Sequence, residues 1–296
     1  MSVDDPALAP VRRLEPDRLV ALVNAHTDAR LTLVGPAPGG QVGAAYVRWS
    51  DGREGVLTWL PDGPVGQVRR TAEILALARE RGLPVPAYDM IAEVPGALAI
   101  VQERLPGAPP THPDRALVEQ LVELVEGFAG LLAERPDVEV PDMWLRGSGP
   151  GFCLHRPLEL HNVRTRRLLE WVRTVGASEP SAMAGDDLVH LDYHPGNVLV
   201  AESMPADGGA ITGIVDWDGI GRGDRRFCLV TLRFAMLSDP ALGRWLDGLL
   251  DDLLDPATLR LYWAHMSLRQ VDWAIRHFSP GDVEDWLDLA ETRMDS

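Results

Sequence analysis

The sequence predicts an α+β protein of two lobes, a small antiparallel β-sheet lobe followed by a mainly helical one. Three observations carry that expectation. The first third holds short apolar runs of β type joined by glycine- and proline-rich turns. The remainder repeats apolar residues at helical spacing. Between them, Leu105-Pro106-Gly107-Ala108-Pro109-Pro110 breaks both patterns and reads as a boundary. The expected division is 1–102 for the first lobe and 103–296 for the second, with a cleft between them.

Taken in order, Pro16 to Asn24 reads as a short amphipathic helix with proline in its first turn. Leu31–Val34, Ala44–Trp49 and Val56–Leu60 read as strands. The turn at Ser50-Asp51-Gly52 carries the Asp-Gly pair that favours a hairpin. Val68–Arg81 has helical spacing and is ended by Gly82 with Pro84 and Pro86 beyond it. Ala97–Glu103 reads as another strand. Leu117, Val118, Leu121, Val122, Val125, Phe128 and Leu132 lie on one helical stripe, and Leu158–Val175 is expected to be a further single helix. Val189–Leu191, Val198–Val200 and Ile214–Val215 are short apolar runs. From Phe227 onward amphipathic helices are expected, broken near Asp239-Pro240, Asp255-Pro256 and Ser279-Pro280-Gly281.

Composition narrows the function classes. The net charge of −16, from 28 basic and 44 acidic residues, argues against a nucleic-acid partner. No apolar run approaches the roughly 18 residues that span a bilayer, so no membrane partner is expected. The acidic start lacks a leader pattern, and a cytoplasmic protein is expected. Monomer and homodimer are both open. Cys153 and Cys228 lie far apart and form no zinc-type spacing. The chain contains no lysine; every one of its 28 basic residues is arginine.

The chemistry concentrates in His190-Leu191-Asp192-Tyr193-His194-Pro195-Gly196-Asn197, a polar cluster between the apolar runs Val189–Leu191 and Val198–Val200. Asp192 precedes Asn197 by five residues, and Asp216 follows 24 residues after Asp192 in Val215-Asp216-Trp217-Asp218. Phosphoryl transfer to a hydroxyl needs such groups: an aspartate to accept the hydroxyl proton, and an amide oxygen with a carboxylate to hold magnesium at the phosphates.

These two segments resemble the catalytic and metal-binding motifs of the aminoglycoside phosphotransferase-like family, kinase-fold enzymes that phosphorylate small molecules. The family's loop usually reads His-Gly-Asp-Leu-His-Pro-Gly-Asn, and its second motif Ile-Asp-Trp-Glu followed by Gly-Asp-Pro, here Val215-Asp216-Trp217-Asp218 with Gly223-Asp224. Gly82-Leu83-Pro84-Val85-Pro86 resembles its inter-element linker, and Val101-Gln102-Glu103-Arg104-Leu105-Pro106-Gly107 its hinge. The likeness runs from about residue 30 to 235. It implies a two-lobed protein-kinase-like fold, with Asp192 as base, His190 supporting the loop, and Asn197 and Asp216 as magnesium ligands. It further implies a nucleotide-binding first lobe, with ATP or GTP held by Gly39, Gly40 and Gly43 of a glycine turn, by Arg48, Val56 and Thr58 on the strands, and by Gln102, Glu103 and Leu105 of the hinge. The second lobe would be catalytic and bind the acceptor, a hydroxylated small molecule with antibiotics among the candidates. Asp218 is read either as a supporting group or as a plain loop residue. Asp224 is expected to cap the following helix.

Departures from the pattern leave alternatives. Thr58 stands where relatives place a lysine, and the paired helix glutamate falls on Thr71 or Glu73. Arg48, Arg53 or Arg70 could reach the phosphates instead, or magnesium and backbone amides of the glycine turn could suffice. A third alternative is a degenerate kinase that binds nucleotide without transfer. Leu191, Tyr193 and Cys228 also replace the family's usual residues. On the acceptor side, Trp245, Tyr262, Trp263, His265, Arg269, Asp272, Trp273, Glu284, Asp285 and Trp286 read either as pocket lining or as ordinary core and solvated faces.

Overall fold

Five strands close into one antiparallel sheet: β1 (Thr32–Ala37), β2 (Ala44–Arg48), β3 (Glu54–Leu60), β4 (Tyr88–Val94) and β5 (Ala97–Glu103), in the spatial order β1-β2-β3-β5-β4. This computed structural model describes residues 15–294 apart from 38–42, 62, 144, 146–154, 181 and 202–208. Gly39, Gly40 and Cys153 therefore lie outside the described residues. The β2–β3 hairpin turns through Asp51-Gly52 as the sequence predicts, with Gly52 at φ 90° and the Trp49 amide donating to the Arg53 carbonyl at 2.9 Å.

The sheet is apolar on both faces. Leu19, Val20 and Val23 of α1 (Pro16–His26) pack with Val47, Leu57, Trp59, Ala99 and Val101 on one side. On the other, Val68 of α2 (Val65–Glu80) packs with Leu98 and Ile100. Strand alternation then assigns faces by register: Thr58 pairs with Ile100, and Val56 with Gln102, so all four share the α2 face. Strand β4 was not predicted. It lies at the sheet edge, where Asp89 and Glu93 interrupt an apolar pattern without being buried.

The chain forms two compact units. The sheet unit comprises residues 9–113 together with 196–218. The returning segment adds a small hairpin of β7 (Val198–Val200) and β8 (Ile211–Ile214). Val200 exchanges backbone hydrogen bonds with Ala108, and the Ile214 amide donates to the Pro84 carbonyl at 2.7 Å. Gly107, at φ 97°, allows this approach, because a Cβ there would stand 2.4 Å from the Val200 carbonyl oxygen.

The helical unit comprises 114–195 and 219–296. It holds α3 (Arg115–Glu126), α4 (Arg156–His161), α5 (Val163–Ser178), α6 (Phe227–Phe234), α7 (Pro240–Leu253), α8 (Pro256–His277) and α9 (Pro280–Glu291). A two-stranded ladder pairs β6 (Asp187–His190) with β9 (Ile220–Gly223). The last three helices begin where proline predicts, each capped by the preceding side chain: Asp239, Asp255 and Ser279 accept from amides of their first turns. Trp263 of α8 is fully buried, with the guanidinium carbons of Arg233 and Arg293 5.8 and 5.0 Å from its ring centre. Arg164 of α5 ties down α9 through Glu284, Asp288 and Glu291.

The single helix expected over Leu158–Val175 is two helices. Asn162 stands between α4 and α5 and forms a capping box, its side chain accepting from the Thr165 amide at 2.9 Å while Thr165 Oγ1 accepts from the Asn162 amide at 3.0 Å. The apolar stripe runs through the break, so periodicity alone did not reveal it. Replacing Asn162 with alanine is expected to lower unfolding free energy by about 1 kcal/mol, and Asn162→Asp by much less, measured by urea denaturation.

Candidate active site

The catalytic loop leaves β6 at His190, which is fully buried. The Asp192 amide donates to His190 Nδ1 at 3.1 Å, so that nitrogen carries no proton and the neutral ring is the Nε2–H tautomer. The Leu191 amide donates to the Gly219 carbonyl at 2.8 Å, which joins the loop to the start of β9. Behind the strand, Cys228 of α6 accepts the His190 amide hydrogen at 3.4 Å, and its Sγ stands 3.6 Å from the His190 carbonyl oxygen. Burial pushes the Cys228 thiol up to about 12, so it acts as an inert packing group. Tyr193 faces inward, 1% exposed, and its hydroxyl donates to the Leu121 carbonyl at 2.9 Å. The departures at Tyr193 and Cys228 therefore have structural roles.

The Asp192 carboxylate has an arginine and a histidine as neighbours. Oδ1 lies 3.3 Å from Arg269 Nη2 of α8, and Oδ2 lies 3.3 Å from His194 Nε2. Desolvation raises its proton affinity, but the His194 hydrogen bond and the Arg269 charge outweigh it, lowering the pKa to about 2.

Asn197 and Asp216 belong to the sheet unit. Asn197 closes a short 3-10 turn, Pro195–Asn197, and is 9% exposed. Its carbonyl accepts from the Val215 amide at 2.9 Å, which couples the segments of Asn197 and Asp216 across the β7–β8 hairpin. Asp216 follows β8 at φ 65°, a left-handed conformation that costs a non-glycine residue on the order of 1–3 kcal/mol. The buried Trp217 helps hold it there, donating from Nε1 to the Ile214 carbonyl at 2.8 Å. Desolvation pushes Asp218 above its ordinary value. Tyr88 of β4, missed by the sequence reading, stands in the field of Asp218 and Asp216; burial first, then those charges, push its phenol up.

Asn197, Asp216 and Asp218 offer only hard oxygen donors, one amide and two carboxylates. That set is too sparse for an all-protein cage and fits magnesium, which keeps water and phosphate oxygens in its shell.

The predicted nucleotide set is distributed over the sheet unit. Thr58 lies mid-strand on the α2 face. Thr71 is buried in α2, whereas Glu73 is exposed. Gly43, just before β2, has φ 84°, in the left-handed region. Arg48 donates to Glu54 at 2.9 Å at the far end of β2 from Gly43. Glu54 also accepts from Arg104 at 2.5 Å, and Arg104 covers the Tyr46 ring at 4.0 Å. Arg53 is paired with Asp51 at the hairpin tip. Neither Arg48 nor Arg53 therefore lies beside Thr58. In the hinge, Gln102 pairs with Val56, while Glu103 binds Arg79 at 2.6 Å and spends its amide on the Ala87 carbonyl at 2.8 Å. Leu105 packs against Gly213, whose absent Cβ would stand 2.8 Å from Leu105 Cδ1.

The acceptor-side candidates Tyr262 and Asp272 turn out to be buried: Tyr262 donates to Asp224 at 3.1 Å, and the fully buried Asp272 pairs with Arg276. Trp286, stacked on Phe234, and Trp245, under Arg115, are half-buried. Asp224 does not occupy the cap position of α6, which is Arg226; it binds the Arg226 amide at 3.0 Å from two residues earlier.

Tyr193→Phe is expected to cost about 1 kcal/mol of stability through the lost Leu121 bond, measured by thermal or urea unfolding.

The sequence matches the phosphotransferase enzyme family over residues 34–263. No curated protein is a match in sequence. Among solved structures, a thermostable mutant of the aminoglycoside phosphotransferase APH(4)-Ia, in complex with AMP-PNP and hygromycin B, aligns at TM-score 0.63 and 17% identity, covering 93% of this chain and 95% of that one. The GDP complex of aminoglycoside 2'-phosphotransferase-IIIa aligns at TM-score 0.60 and 15% identity, covering 95% and 99%. Macrolide 2'-phosphotransferase MphH from Brachybacterium faecium aligns at TM-score 0.52 and 20% identity, covering 94% and 98%. At these identities the likeness establishes the two-lobed kinase-like α+β fold.

Proposed function

Because the chain belongs to the phosphotransferase enzyme family, and is thereby a small-molecule kinase, we propose that it transfers the γ-phosphate of ATP or GTP to a hydroxyl of a small molecule with Asp192 as base. The observation that carries this is the loop itself: Asp192 is held by a buried histidine and flanked by Arg269 and His194, and Asn197 and Asp216 follow in the order phosphoryl transfer requires.

In this reading residues 1–102 belong to the nucleotide lobe and 103–296 to the catalytic and acceptor lobe, except that 103–113 and 196–218, with Asn197 and Asp216, fold with the sheet unit. His190 holds the Asp192 backbone, and the Asp192 carboxylate accepts the hydrogen bond of the attacking hydroxyl, then its proton as the new oxygen–phosphorus bond forms and the bond from the γ-phosphorus to the bridging oxygen breaks, releasing the nucleoside diphosphate. A base with so low a proton affinity suits a loose transition state in which the proton leaves late. Asn197 and Asp216, with Asp218 in support, would hold magnesium, which supplies charge neutralisation at the phosphates. Gly43 and its turn, Val56, Thr58, Gln102, Glu103 and Leu105 would line the nucleotide. The engagement of Arg48 and Arg53 elsewhere favours magnesium and backbone amides over those two arginines as the substitute for lysine. The APH(4)-Ia complex contains hygromycin B and another aligned structure is a macrolide phosphotransferase, which supports an antibiotic as acceptor. The cytoplasm is where such an enzyme would meet its donor.

The test is nucleotide turnover with magnesium against a panel of hydroxylated aminoglycosides, macrolides and nucleosides. Asp192→Asn is expected to lower kcat by about 10²–10⁴-fold. Transfer that survives this substitution intact would sink the base assignment. Nucleotide binding without turnover on any acceptor would favour the degenerate reading, to which Thr58 in place of lysine points.

The pH dependence has a definite sign. Asp192 has a folded pKa of about 2 against an ordinary 3.8. Its charge thus favours the folded state above the ordinary value, and that contribution disappears as pH falls through the folded one. The kcat/KM profile is expected to show no acid limb from this group above about pH 4.

A further inference from the structure

We infer that Arg269 is a positioning residue for the catalytic loop: its guanidinium grips the Leu191 carbonyl and the Asp192 carboxylate together and so fixes the direction in which the base faces. The inference rests on the assignment of Asp192 as base. Two nitrogens of one planar group make the two contacts, Nη1 to the Leu191 oxygen and Nη2 to Asp192 Oδ1 at 3.3 Å. A planar fork constrains orientation as well as distance, which a single ammonium cannot do.

The anchor beneath the fork is rigid. Arg269 is 13% exposed at its side chain, and it follows a stretch of α8, Leu261–Leu268, in which every residue is buried. One turn earlier, His265 Nδ1 is bonded to the Met143 carbonyl at 2.8 Å. The His190 bond fixes the Asp192 amide and leaves the side-chain torsions to be set by the partners of the carboxylate. The charged and titratable groups around Asp192 come from three places: Arg269 from α8, His190 from the end of β6, and His194 from the loop. Of these only Arg269 keeps its charge at every working pH. It therefore holds Oδ1 whether or not His194 is protonated at Oδ2.

The experiment compares Arg269→Lys and Arg269→Met with the parent enzyme, using magnesium-nucleotide and whichever acceptor is turned over. Both variants are expected to lose kcat on the order of 10²-fold, with KM for the nucleotide unchanged. In the Asp192→Asn background, Arg269→Met is expected to add little, because the group it positions is already gone. A purely structural arginine would instead lower thermal stability, leave kcat of the folded enzyme intact, and add its effect fully to Asp192→Asn; that result overturns the inference. So does parental kcat in Arg269→Lys. If the parent transfers phosphate to no acceptor, the functional proposal fails and a second readout decides this one. The Asp192 carboxyl is then titrated by carbon NMR in the parent and in both variants. An upward shift in the variants supports the contact, and an unchanged titration overturns it.

Discussion

A histidine with no exposure to solvent is the constraint on which the site depends. His190 ends a buried strand, and its ring nitrogen receives the amide of Asp192 two residues on. A buried imidazole must find partners for both nitrogens, so the loop cannot leave β6 in another direction without stranding a polar group. Cys228 closes the same arrangement from behind by taking up the His190 amide. The loop's polarity is thus what makes it rigid.

The second theme is charge without lysine. Every cation in the chain is a guanidinium, and the structure uses the fork geometry repeatedly. Arg164 spans three carboxylates of α9, Arg233 holds Asp247 with two nitrogens beside Trp263, and Arg269 bridges a carbonyl and a carboxylate. The position where a lysine would meet the phosphates holds Thr58 instead, and its expected helix partner position is the buried Thr71 or the exposed Glu73. Removing both members of an ion pair avoids leaving one charge unpaired. The Arg48–Glu54–Arg104 cluster lies at the hairpin end of β2 and β3, away from Thr58.

Much of this was legible before any coordinates. The strands β2, β3 and β5, the proline-started helices α7 to α9, and the order of Asp192, Asn197 and Asp216 all follow from local pattern, because turn residues, caps and periodicity act over a few residues. The missed features depend on distant partners. Strand β4 is a strand because β5 pairs with it, and β9 because β6 does. The break at Asn162 hid inside a continuous apolar stripe. The aromatic residues of the C-terminal helices carry no sign in sequence of whether they face a ligand or the core, and the structure places Tyr262 and Trp263 in the core.

By itself the sequence determined the fold class and the identity of the base and metal-ligand candidates, since these are set by residue type and short spacing. Tertiary structure alone decided what surrounds them. It brought Arg269 to Asp192 across 77 residues, and it returned 196–218 to the sheet unit, where the Ile214 amide meets Pro84. Such pairings are selected by burial and hydrogen-bond satisfaction over the whole chain, and no window of neighbouring residues contains them.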